Sequence, residues 1–194
     1  PEGTGIKVCG FEHWGAYSDK LGQTVMYPDS GTTAIYLQNG TPVIATEIFI
    51  GPEPTYDANA DLKYPFAGVS VSFDENQGYY NLSDLNTVRI TYRSEGVMRF
   101  ALLDSMTLAD GNEGGEPGLY LPQVAEFTTM DIDISDNGSD EFKALSVPSW
   151  VSWPNNRSVV LSMVRGLKFD AKMAKAGYAS FALSEVSLLD VSGN

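Results

Sequence analysis

Three arginines stand out in residues 81–104, NLSDLNTVRITYRSEGVMRFALLD. Arg89 and Arg93, with Thr91 between them, alternate with Val88, Ile90 and Tyr92. That period of two predicts a strand over 87–93 with one apolar and one polar face. Arg99 belongs to a second β-type run, 97–103, beyond the polar break Ser94-Glu95-Gly96. Glycine after Ser-Glu suits a tight turn with φ > 0, so a hairpin is expected, and Arg99 joins the other two if its register allows. Arginines on a solvated sheet face are ordinary. Gathered on one face, they are fixed donors for hydroxyl or carbonyl oxygens.

The second group is aromatic. Trp14, Trp150 and Trp153 fall in Gly-, Pro- or Asn-rich stretches rather than in alternating runs, and Tyr36, Tyr79 and Tyr80 are weaker members. A loop tryptophan commonly plugs the edge of a core. Left open, its face packs on apolar C–H surface while polar neighbours read hydroxyls, the mixed surface of a sugar site. His13, the only histidine, sits beside Trp14, where packing or solvation is the ordinary role.

Catalytic signatures are scarce. With one histidine and one cysteine, Cys9, a nucleophile–histidine arrangement would have to run through His13. Gly-x-Ser-x-Gly, His-Glu-x-x-His and Gly-x-Gly-x-x-Gly do not occur. The 25 acidic residues leave many carboxylate pairs open to glycoside hydrolysis, and no spacing singles one out. Asp133, Ser135, Asn137 and Gly138 start like a calcium loop, but its twelfth position is Ala144 instead of a bidentate glutamate. A strand end followed by a turn is the expected reading. Asn39, Asn81, Asn137 and Asn156 are glycosylation sequons.

Composition narrows the partners. The net charge of −13 argues against nucleic acid and against an anionic membrane surface, both of which need a basic patch. It suits a neutral ligand. A single cysteine rules out an internal disulfide and cysteine-rich zinc sites. No apolar run approaches the roughly 20 residues that span a bilayer. At 194 residues one domain, 1–194, is expected.

Strands are expected over 24–27, 33–38, 43–50, 68–73, 126–135, 159–164, 167–170 and 178–189, the last with a bulge. Asn39-Gly40 is the strongest hairpin signal. Long loops are expected over 15–31, 51–65 and 136–154, and a Gly-rich surface loop over 109–117. Residues 171–177 are the single helical candidate. Recurrent short strands with almost no helix give an all-β fold, an antiparallel β-sandwich.

Three segments carry a family resemblance. Gly10-Phe11-Glu12, Lys20-Leu21-Gly22-Gln23 and Tyr27-Pro28-Asp29 resemble the opening of extracellular bacterial carbohydrate-binding modules; residues 82–96 resemble their central strand and turn; and 179–188 resemble their closing strand. Met26 and Gln23 replace the Trp and second Gly of the opening motif, and Ser184-Glu185 replaces the closing Asp pair. The resemblance implies a jelly roll of the galactose-binding-like type, appended to enzymes that degrade plant polysaccharides. It implies binding of β-glucan, cellulose or xylan-type chains in a concave groove, without catalysis. It further implies a monomeric module within a larger chain, secreted or at the cell surface, with a structural calcium for which Glu12 and Glu185 are the matching ligands. On this reading Arg89, Arg93, Arg99, Trp14, Tyr36, Trp150 and Trp153 are the carbohydrate-binding candidates. Two rivals stand beside it: a jelly-roll glycoside hydrolase or lyase, and a surface adhesion or spacer domain with a flat, unlined sheet face.

Overall fold

The computed structural model describes residues 6–7, 14–19, 24–51, 55–56, 62–63, 65–73, 78–105, 115–148, 151, 156–172 and 177–191. Two antiparallel sheets face each other. The seven-stranded sheet runs β12 (Val124–Asp133), β9 (Leu85–Glu95), β14 (Gly177–Asp190), β5 (Thr41–Ile50) and β3 (Val25–Tyr27), with β1 (Ile6–Lys7) paired to β14 and β4 (Ile35–Gln38) to β5. The five-stranded sheet runs β11 (Gly118–Tyr120), β10 (Arg99–Asp104), β13 (Val164–Lys172), β8 (Phe66–Ser72) and β2 (Trp14–Ser18). A separate ribbon joins β6 (Thr55–Tyr56) to β7 (Leu62–Lys63).

Alternation builds the core between the sheets. Val88, Ile90 and Tyr92 of β9 are buried, as are Phe100 and Leu102 of β10 and Leu167 and Phe169 of β13. Phe169 stacks on Phe181 at 4.7 Å between centroids, bringing the two sheets together. The expected bulge in β14 is present between Leu183 and Glu185. Asn39 and Gly40, with φ of 52° and 80°, close the β4–β5 hairpin in the left-handed conformation its two-residue turn demands.

Four expectations need correction. The runs on either side of Ser94-Glu95-Gly96 do not form a hairpin: β9 lies in the seven-stranded sheet and β10 in the other. Gly96 does take φ of 77°, but its turn carries the chain from one sheet to the next. Trp14–Ser18 is a strand rather than a loop, with Trp14 and Ala16 inward. Helix α1 (Arg157–Ser162) stands where a strand was expected. The β-branched Val159-Val160 favours β structure locally, but tertiary bonds override it. Asp140 accepts from Ser158 N at 2.8 Å and Ser158 Oγ at 2.6 Å. The buried Arg157 donates to Ile134 O at 2.6 Å and Leu85 O at 2.7 Å. The helical candidate at 171–177 opens instead as the end of β13, through Lys172.

Candidate functional site

The outer face of the five-stranded sheet carries chemistry rather than solvated polarity. Register places Tyr120, Arg99, Asp170, Gly68 and Tyr17 in one row across all five strands. The adjacent row is Gly118, Ala101, Lys168, Ser70 and Gly15. Small residues dominate this second row, so its floor is low. A Cβ added at Gly15 would meet nothing within 4 Å. Gly68 differs, because a side chain there would run into the Phe169 carbonyl. With none present, Tyr17 reaches across β8 and donates its hydroxyl to Asp170 Oδ2 at 3.2 Å.

Lys168 links the two rows. Its Nζ lies 2.7 Å from Glu116 Oε1 and 3.1 Å from Asp170 Oδ2. Arg99 donates to the Glu116 backbone carbonyl and stands 3.9 Å from its carboxylate. The charged side chains are 4–11% exposed, so this electrostatics works in a low dielectric. Burial, followed by Asp170 and then Glu116, pushes the Tyr17 phenol well above its ordinary pKa. For Lys168, burial alone would lower the pKa, but the two carboxylates outweigh it and the net shift is upward. Two buried carboxylate oxygens, Glu116 Oε2 and Asp170 Oδ1, accept no hydrogen bond. Such orphan acceptors are uncommon in a folded chain. The ring of Phe66 stands 6.1 Å from that of Tyr17 at the half-buried rim.

The donors Arg99 and Lys168 and the Tyr17–Phe66 rim are groups of the kind that hold a polyhydroxylated ligand, a guanidinium and an ammonium bonding hydroxyl oxygens and ring faces taking the C–H surface, whereas the two orphan carboxylate oxygens are shut off from solvent. Two solved structures share the architecture. One is the family 11 carbohydrate-binding module of the cellulosomal cellulase Lic26A-Cel5E of Clostridium thermocellum, with 13% identity, a TM-score of 0.56, and coverage of 92% of this chain and 88% of that one. The other is the family 11 module of the same organism in complex with a β-1,3-1,4-mixed-linked tetrasaccharide, with 15% identity, a TM-score of 0.55, and coverage of 93% and 91%. The fold is that of the carbohydrate-binding β-sandwiches. No family model and no curated protein matches the sequence.

The sequence-derived candidates divide between the two outer faces of this sandwich. Arg99 alone lies on the five-stranded face. Arg89 and Arg93 point from the outer face of the seven-stranded sheet, four residues apart, or roughly 13 Å along the strand. The expected convergence of the three is therefore corrected. Arg89 is held by Asp131 through bonds of 2.7 and 2.8 Å, while Arg93 sits 5.5 Å above the Phe127 ring. Tyr36 pairs with Tyr27 at 5.8 Å on the seven-stranded side. Trp14 is a correction of another kind: at 2% exposure, against Phe169, it belongs to the core. Trp150, Trp153, Glu12 and His13 lie outside the described residues. Glu185 is exposed, close enough to Arg89 to raise its pKa. Among the described residues, no three or more His, Cys, Asp or Glu side chains come together in a group that could hold a metal ion.

Sequence reasoning overlooked Tyr17, Glu116, Lys168 and Asp170. Lys168 and Asp170 did leave a signal: they flank Phe169 and alternate with the apolar Leu167, Phe169 and Ala171. Opposite charges two residues apart on a strand share a face.

Proposed function

We propose that this chain is a non-catalytic module that binds a neutral β-linked polysaccharide on the outer face of the five-stranded sheet. The observation that carries this reading is the buried Arg99–Glu116–Lys168–Asp170–Tyr17 constellation, with its two unpartnered carboxylate oxygens. Its formal charges cancel, two cations against two carboxylates, which suits a ligand without charge. Buried ion networks gain little stability over apolar packing of similar volume, whereas clustered, perturbed titratable groups mark functional sites.

The tetrasaccharide held by the similar clostridial module makes mixed-linkage β-glucan the first ligand to test, with cellulose- and xylan-type chains next. Targeting of a larger secreted or cell-surface protein to its polysaccharide is the corresponding role, with the module acting as a monomer. Affinity electrophoresis through gels containing β-glucan, xylan or mannan tests it. The expected result is retardation in at least one β-linked polymer, relieved by Asp170→Asn or Lys168→Met while the thermal midpoint shows a folded protein. Unretarded migration of the wild type in every polymer contradicts the reading.

A further inference from the structure

The outer face of the seven-stranded sheet carries two parallel rows of different character. Register aligns Val25, Phe49 and Tyr178 across β3, β5 and β14. All three are exposed, Val25 at 64% and Phe49 at 54%, and the rings of Phe49 and Tyr178 stand 5.0 Å apart. At the crossover turn Gly96 packs against the Tyr178 carbonyl, with no room for a side chain, and the next residue, Val97, is exposed. Two residues along each strand, roughly 7 Å away, the second row is Tyr27, Glu47, Ser180 and Glu95. Glu47 and Glu95 are both exposed, and neither has an ion-pair partner among the described residues. Strand spacing puts them about 10 Å apart, with Ser180 between. A groove lined by Tyr36, Ala45, Arg93 and Ala182 adjoins this acidic row, but Val25, Phe49 and Tyr178 lie outside its lining.

We propose that this pair of rows docks an extended, basic segment of a partner protein. Exposed apolar side chains scattered singly need no explanation, but a contiguous row rimmed by polar groups marks an interface. Charge selects the partner. The acidic row belongs to a chain of net charge −13, so lysines and arginines are drawn to it, while a second copy of this chain and an anionic membrane are repelled. Spacing selects its conformation. A polyproline II segment returns to the same edge every three residues, about 9 Å apart, close to the separation of Glu47 and Glu95. Basic residues at that interval meet both carboxylates, and residues on the neighbouring edge lie on the rings of Phe49 and Tyr178, as proline-rich segments do on aromatic-lined surfaces. Such a segment has no internal hydrogen bonds, so its carbonyls are open to the Ser180 hydroxyl.

The experiment is an amide-resolved NMR titration with a synthetic peptide of three Pro-Leu-Arg repeats, against a control of three Pro-Leu-Glu repeats. No sugar is present, so the outcome is independent of the glycan site. Saturable shifts are expected at Phe49, Tyr178, Ser180 and Glu95 with the basic peptide and none with the acidic one, while the amides of Lys168 and Asp170 stay unmoved. Affinity falls as salt is raised. Phe49→Ser, which removes an exposed ring and leaves the core intact, weakens binding roughly tenfold. Glu47→Gln combined with Glu95→Gln weakens it severalfold and flattens the salt dependence. Silence at Phe49, Tyr178, Ser180 and Glu95 with the basic peptide overturns the proposal. So does an equal response to the acidic control. Shifts at the same amides that grow with protein concentration, without peptide, give the surface to a second copy of this chain and overturn it as well.

Discussion

Lys168 Nζ stands 2.7 Å from Glu116 Oε1, with both side chains nearly excluded from solvent. The pair joins β13 to the residues entering β11, and Asp170 completes it at 3.1 Å. Removing the ammonium leaves two buried carboxylates facing each other. Lys168→Met is therefore expected to destabilise the fold by on the order of 3 kcal/mol, read as a lower denaturant midpoint. Lys168 titrates above its ordinary value of 10.5. A raised pKa in the folded state means that its contribution is complete below that value and is lost as pH rises through the shifted one. The wild type should lose stability steeply above about pH 10.5, and Lys168→Met should lose less over the same range. Parallel pH curves for the two proteins contradict this linkage.

Arg89 looked like a ligand-reading arginine in the sequence. In the structure its guanidinium is taken by Asp131, outside the groove-lining residues. Arg89→Ala is expected to leave glycan affinity within about twofold of wild type, a change below the roughly tenfold that one good contact supplies. Calorimetry on the variant checks this. A tenfold loss would return Arg89 to the binding surface.

Trp14 separates packing from stacking. Buried against Phe169, it acts on stability: Trp14→Ala should cost about 3–5 kcal/mol, seen as a large drop in thermal midpoint. Trp14→Phe should keep both the fold and wild-type glycan affinity. Lost affinity in a folded Trp14→Phe protein contradicts the core assignment.

How much of this was legible follows from which rules are local. The alternation in β9 and β14 and the Asn39-Gly40 turn are written in adjacent residues, and they fold as expected. Sheet membership is not local. Nothing around Ser94-Glu95-Gly96 distinguishes a hairpin from a crossover, yet that choice sends Arg99 to the face opposite Arg89 and Arg93. Trp14 misled because its glycine neighbour suggested a loop, while its true signal, Trp14 and Ala16 inward on one strand face, belongs to a strand of only five residues. Helix α1 was hidden because distant partners, Asp140 and the carbonyls of Leu85 and Ile134, decide its conformation. The constellation itself needs residues from 17, 99, 116 and 168–170, a juxtaposition that only the register supplies.

Glu116 and Asp170 are not arranged as a hydrolytic carboxylate pair. Lys168 bonds both Glu116 and Asp170, so an ammonium fills the space where a glycosidase holds its water or scissile oxygen. Incubation with β-glucan or xylan should release no reducing ends above the buffer control. Sustained release that disappears in Asp170→Asn would establish an enzyme instead.

Titration of the wild type and Asp170→Asn with the β-1,3-1,4-linked tetrasaccharide, followed at the backbone amides of positions 168 and 170, probes the central claim most directly. Saturable shifts at these amides in the wild type, weakened at least tenfold in the folded variant, are the predicted result. Unmoved amides on the five-stranded face at every sugar concentration, or identical curves for the two proteins, would contradict it.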